Sequence, residues 1–225
     1  MAPVKTDAIS IDAMISLVNA FAYAEYTGTP FTVYFAVAWS KTHNWTDDQL
    51  ADKQEAFARK LRKWLSARNI PVAYAYVGEI GGKVGVHTNV AVHIPKTFFK
   101  EFQNCLDSLV PGFVGIPCTT KLFEDRRLEL PKFHYHPNQR LGSLKYTLKG
   151  LDPDASFNAD GKRVKWCDAI GIRPKPQGVI VGRRTGASHT LGNVARAKAG
   201  WTERTSPAAI AAALTPFPKR KGGAE

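Results

Sequence analysis

Cysteine is scarce in this chain. Its three residues, Cys105, Cys118 and Cys167, lie far apart with no Cys-x-x-Cys. An odd, scattered set argues against both a disulfide framework and a zinc site, so the three are read as small buried hydrophobes. Long apolar runs are missing as well. None approaches the ~20 residues of a membrane-crossing helix. The opening stretch MAPVKTDAISIDAMI lacks the basic-then-apolar layout of a secretory signal, so a cytoplasmic protein with no membrane partner is expected. No Gly-x-x-x-x-Gly-Lys-Ser/Thr occurs, which excludes a P-loop and a helicase motor within the chain. Core-forming material is not lacking. Hydrophobic residues make up 44% of 225, which suits one large domain or one domain with an appendage and argues against global disorder.

Acidic residues are scarce in one region only. Residues 161–225 hold 13 Lys and Arg against 3 Asp and Glu, and this +10 accounts for nearly all of the net +12. Residues 1–110 and 111–160 each balance to +1. A basic last third is the electrostatic pattern of a nucleic-acid-binding extension, although a solvated tail has the same composition.

The hydrophobic pattern predicts helices over 10–26, 46–68, 97–110 and 138–150, the last with Gly150 as a C-cap. Strands are expected at 31–39, 72–80, 84–94 and 113–124, the second and third joined by a turn containing Gly81 and Gly82. Strands interleaved with helices in this order imply an α+β fold, a central antiparallel sheet with flanking helices, over residues 1–152. Residues 153–225 are then a basic C-terminal extension. It carries a short strand at 178–181, a helix near 190–199, a helix at 206–214 opened by Ser206 and Pro207, and a disordered end.

The predicted hairpin carries unusual residues. In VGEIGGKVGVHTNVAVHIP (77–95), Glu79, His87 and Asn89 stand where strands normally carry Val or Ile. Alternation puts His87 and Asn89 on one face, their Cβ atoms roughly 7 Å apart. Folding the hairpin brings Glu79 opposite one of them. One nitrogen and two oxygen donors suit Mg²⁺ or Mn²⁺ better than structural Zn²⁺. A lone strand histidine is more often a hydrogen-bonded packing residue. His93 shares the face but lies about 20 Å further along, so packing or substrate contact is expected of it.

Downstream, SLKYTLKGLD places Tyr146 and Lys149 three apart on one helical face. A phenol, with a pKa near ~10, needs a neighbouring cation to act as a nucleophile, and the same cation attracts a phosphodiester. Tyr-x-x-Lys alone is an ordinary amphipathic pair. Its meaning comes from following the Glu, His and Asn hairpin.

Together these residues resemble the HUH endonucleases, the rolling-circle replication initiators and relaxases. In that family a strand carries His-hydrophobic-His, or Gln for the second His, with a Glu upstream and a later Tyr-x-x-Lys. Here GGKVGVHTNVAVHIP stands as the strand motif, YTLKG as the nucleophile motif and FTVYFAV as the first structural motif, over about residues 31 to 152. Asn89 replaces the second His, and Thr88 the usual hydrophobic residue. The resemblance implies a ferredoxin-like or RRM-like nuclease fold and a Mn²⁺ or Mg²⁺ ion on Glu79, His87 and Asn89. It also implies nicking and rejoining of single-stranded DNA through a 5′-phosphotyrosine at Tyr146, assisted by Lys149. Tyr135, between His134 and His136, is the reserve nucleophile. The implied partners are single-stranded or hairpin DNA at an origin, with a host helicase and polymerase. Arg140, Lys145, Arg183, Arg184, Arg196, Lys198 and the run Lys219–Lys221 are expected on DNA phosphates, with Trp166 and Trp201 as candidate base-stacking residues. The rival expectation is a non-catalytic DNA-binding protein with a degenerate site.

Overall fold

The computed structural model describes residues 5–39, 47–81, 85–110 and 132–216. The fold is α+β. Its centre is an antiparallel sheet of five strands built from β2 (Val33–Ala38), β3 (Tyr74–Gly81), β4 (Gly85–Val92), β5 (Lys132–Phe133) and β9 (Thr185–Ala187). Their order across the sheet is β5-β2-β4-β3-β9. β1 (Lys5–Thr6) pairs with β8 (Ile180–Val181), and β6 (Ser156–Ala159) forms a hairpin with β7 (Lys162–Lys165).

Strand alternation assigns the two faces. Val33, Phe35 and Val37 of β2 and Val90 and Val92 of β4 join α2 (Asp47–Ser66) and α3 (Phe99–Leu109) through Leu61, Leu65, Phe102 and Leu106. These four helix side chains have no exposed surface. Tyr34, Ala75, Val77 and Ala91 point the other way, into a second core. There they meet Met14, Leu17 and Phe21 of α1 (Ile11–Tyr26) and Leu141 and Leu144 of α4 (Pro137–Thr147). Ser10 caps α1 by accepting from Ala13 N–H, and Gly28, at φ +73°, turns the chain into β2.

The expected appendage is part of this second core, so the boundary at 152 does not hold for the described residues. β9 is an edge strand of the central sheet, paired with β3. Trp166 and Cys167 of α5 (Trp166–Ala169), and Ile210 of α7 (Pro207–Ala213) with Leu214 after it, share one cluster with α1. Asn19, fully buried on α1, fastens residues 201–204 to that helix. Its Nδ2 donates to the Ile15 and Arg204 carbonyls, and its Oδ1 accepts from Arg204 N–H and Trp201 Nε1. All these amide hydrogen-bonding groups are matched, so the buried asparagine is compatible with a tight core.

Several local expectations change. Gly150 does not cap α4 in a left-handed conformation. It ends a 3₁₀ turn, Leu148–Gly150, at a crowded point where an added Cβ would lie 3.0 Å from Gln177 Cγ and 3.4 Å from Ile9 Cδ1. Helix 190–199 is shorter, as α6 (Asn193–Lys198). The β6–β7 hairpin turns at Asp160 and Gly161, both at positive φ, the Asp-Gly pair that a two-residue turn favours. The strand expected at 113–124, Gly82 of the hairpin turn and the run Lys219–Lys221 lie outside the described residues.

Candidate functional site

The β3–β4 register sets Glu79 directly opposite His87, and Asn89 opposite Val77. Val77 and Ala91 belong to the α1 and α4 side of the sheet, and strand parity places Glu79, His87 and Asn89 on that same side. Glu79 is fully buried because the chain folds along the edge of β3. Gly78 N–H donates to the Arg184 carbonyl and Ile80 N–H to the Gln177 carbonyl, one on each side of the glutamate.

Two charged or titratable groups meet at that carboxylate. Lys149 Nζ lies 2.9 Å from Glu79 Oε2, and His87 Nε2 lies 3.2 Å from the same oxygen. The other side of the His87 ring is fixed, with Nδ1 3.0 Å from the Gly85 carbonyl oxygen. Lys149 comes from the 3₁₀ turn after α4, and that turn is held from two directions. Ile9 N–H donates to Gly150 O at 2.7 Å, and Lys175 N–H donates to Lys149 O at 2.6 Å. These two hydrogen bonds fix the turn that carries the lysine. Lys149 Nζ also stands 3.5 Å from the centroid of the Tyr146 ring, a cation–π contact. Tyr146 itself is 57% exposed.

A cleft of about 500 Å³ opens beside Tyr146. Tyr34, Asn89, His134, Gly142 and Ser143 line it. His134 stacks on Tyr34 at 4.5 Å between centroids, and its Nδ1 lies 3.2 Å from Ser143 Oγ. Burial pushes the Tyr34 phenol far above its ordinary value, with Arg140 pulling it down and Glu25 raising it, so Tyr34 is a wall and not a nucleophile.

Among the described residues, Glu79 Oε1 and Asn89 Nδ2 are buried without a hydrogen-bond partner. No group of three or more His, Cys, Asp or Glu among the described residues is placed to hold a metal. Glu79 and His87 nevertheless form a donor pair with the spacing that a small divalent ion requires. Two adjacent ligands on an octahedral ion at about 2.1 Å lie about 3 Å apart, close to the separation of His87 Nε2 and Glu79 Oε2. The unmatched Glu79 oxygen adds a further donor.

The basic residues expected on DNA divide into two groups. Arg184 is 4% exposed and works inside the protein. It donates to Thr6 O at 2.6 Å, to Thr6 Oγ1, to Gly78 O and to Gly178 O, tying β1 and the 178–184 segment to β3. Arg196, also buried, donates to Glu203 and to Leu191 O. Arg140 forms a two-pronged pair with Glu25, at 2.6 and 3.0 Å, and donates to the His134 and Tyr135 carbonyls. These three guanidinium groups are committed to the fold and are withdrawn as phosphate contacts. Arg183 and Lys198 are exposed and Lys145 half-buried. Trp166 is core, while Trp201 packs against Tyr23, Tyr26 and Arg204.

His93 is a packing residue, its Nδ1 2.8 Å from the Pro30 carbonyl oxygen. Tyr135 is exposed, with Lys96 Nζ 5.3 Å from its ring centroid. Its neighbour His136 caps α4 by accepting from Asn138 N–H. Sequence reasoning missed His134, Gly142 and Ser143 as cleft residues, although the first was noticed as a neighbour of Tyr135. No family model, curated protein or solved structure matches the chain.

Proposed function

We propose that the protein cuts and rejoins single-stranded DNA through a covalent bond to Tyr146, as the initiator of rolling-circle replication of a plasmid, phage or other single-stranded DNA element. One observation carries the reading. A single ammonium, Lys149, links an exposed tyrosine at the edge of a cleft to a buried Glu79–His87 pair. A tyrosine kept only for packing has no need of such a neighbour.

In this reading the strand lies along the cleft with its scissile phosphate between Tyr146 and the Glu79–His87 pair. Tyr146 Oη attacks phosphorus as its proton departs to solvent. The new O–P bond forms as the bond to the 3′-oxygen breaks, and that oxygen leaves, taking up a proton from solvent, as a free 3′-hydroxyl. The reverse attack by a 3′-hydroxyl rejoins the strand, since the phosphotyrosine keeps the phosphodiester energy. Lys149 stabilises negative charge developing on the phosphate, a preorganised electrostatic role. Glu79, His87 and Asn89 would hold a divalent ion, Mn²⁺ or Mg²⁺, which supplies Lewis acidity at the phosphate when bound. His87 is oriented for this by the contact of Nδ1 with the Gly85 carbonyl. Unwinding falls to a separate helicase or to DNA extruded as a hairpin.

The same ion pair favours one rival. With Lys149 already neutralising Glu79, the site is electrostatically complete without a metal, as a non-catalytic DNA-binding protein would have it. Oligonucleotides labelled at either end and incubated with Mn²⁺ separate the two. Nicking predicts a detergent-resistant adduct carrying the 3′-side fragment and a released fragment ending in 3′-hydroxyl. Tyr146→Phe should bind the strand within about twofold of wild type and lose cleavage by about 10³-fold or more. Wild-type protein that binds the strand without cutting it, under either metal, supports the rival.

A further inference from the structure

Glu79 has no exposed surface, and a carboxylate withdrawn from water requires a compensating cation. Among the described residues, two cationic side chains lie within its field. Arg184 is one, but its guanidinium is held by the Thr6, Gly78 and Gly178 carbonyls and cannot leave without opening the sheet edge. Lys149 is the other; its side chain retains 15% of its surface, and its ammonium also contacts the Tyr146 ring. Its ammonium sits 2.9 Å from Oε2, the same oxygen that faces His87 Nε2 at 3.2 Å. A divalent ion bridging Glu79 and His87 needs that oxygen, and two cations cannot share it at such distances without strong repulsion.

We infer that a divalent ion enters this site by exchange with Lys149. The ion replaces the ammonium on Glu79, and the displaced ammonium remains on the Tyr146 side, where its ring contact already exists. Lys149 is thus the resident cation of the metal-free protein and becomes available to the nucleophile and the phosphate only once the ion is in place. The inference rests on the reading of Glu79, His87 and Asn89 as a divalent-ion site, but not on the DNA chemistry. No covalent bond changes.

The test is Mn²⁺ binding to the full chain, followed by titration calorimetry and by the electron paramagnetic resonance signal of free Mn²⁺. Exchange predicts that Lys149→Met binds Mn²⁺ about tenfold more tightly than wild type, because the competing charge is gone. Its melting temperature should also climb more steeply with Mn²⁺. Lys149→Arg, which keeps the charge, should bind less tightly than Lys149→Met, and Glu79→Gln should bind none. Equal or weaker binding by Lys149→Met overturns the exchange. If Lys149→Met unfolds without metal, refolding on Mn²⁺ addition supports the inference and failure to refold overturns it. Absence of Mn²⁺ binding in every variant removes the metal reading and the inference together. Tighter binding by Lys149→Met, with no DNA adduct from wild type, upholds the inference and removes only the nicking reading.

Discussion

Arg183 and Arg184 are adjacent in sequence and opposite in role. Arg184 satisfies three backbone carbonyls in the interior, so Arg184→Ala leaves them without a donor and should cost roughly 2–4 kcal/mol of unfolding free energy. Exposed Arg183→Ala should cost less than about 1 kcal/mol and lower the salt slope of DNA binding by about 1. Denaturant melts and binding isotherms at several salt concentrations read both, and a larger stability loss at Arg183 would invert the assignment. Nothing in RR as a sequence distinguishes the two, because burial is decided by the strand that Arg184 meets across the fold.

His93 gives a pH signature. Burial pushes its imidazole below the ordinary value, and the hydrogen bond to the Pro30 carbonyl opposes this only in part. The unfolded chain, titrating near ~6.5, therefore takes up the proton first as pH falls. This contribution to stability is whole above that value and declines as pH drops from there through the lower folded value. His93→Gln should remove that part of the decline. Melting temperatures from pH 8 to pH 5 check it, and identical slopes for the two proteins would count against the half-buried imidazole.

At the scale of elements, the hairpin was legible and its surroundings were not. Alternation in VGVHTNVAV is enough to put His87 and Asn89 on one face, and the eight-residue spacing back to Glu79 is what one tight hairpin produces. Lys149 reaching Glu79 was not readable, since it depends on Ile9 and Lys175 holding a turn distant from both in sequence. Gly142 is the element's other hidden feature. A glycine inside α4 costs about 1 kcal/mol against alanine, yet an added Cβ would meet nothing within 4 Å, and the residue lines the cleft. Gly142→Ala should therefore stabilise the protein by about 0.5–1 kcal/mol. Gly142→Leu should keep the fold and weaken single-strand binding about tenfold by filling the cleft, roughly 1.4 kcal/mol. Unchanged binding by the leucine variant would move the strand's path elsewhere.

The whole molecule is where composition misled. A +10 balance after residue 160 reads as a nucleic-acid-binding extension set apart from the core, or as a solvated tail. Yet that region supplies β9 to the sheet, Ile210 and Leu214 to the core and two buried arginines to the scaffold. Charge counts do not reveal burial, and short strands such as Thr185–Ala187 carry too few residues for a periodic signal. A chain ending at Asp152 should accordingly fail to fold cooperatively, showing no sharp thermal transition. A truncated protein that melts as sharply as the full chain would restore the two-part organisation.

The central claim concerns one oxygen atom. Protein incubated with a single-stranded oligonucleotide and Mn²⁺, then digested with nuclease and protease, should yield one peptide heavier by the mass of a residual nucleotide. Fragmentation should place that mass on Tyr146, in the peptide YTLK that trypsin releases between Lys145 and Gly150. A modified Tyr135 instead, or no modified tyrosine at all, would contradict the account.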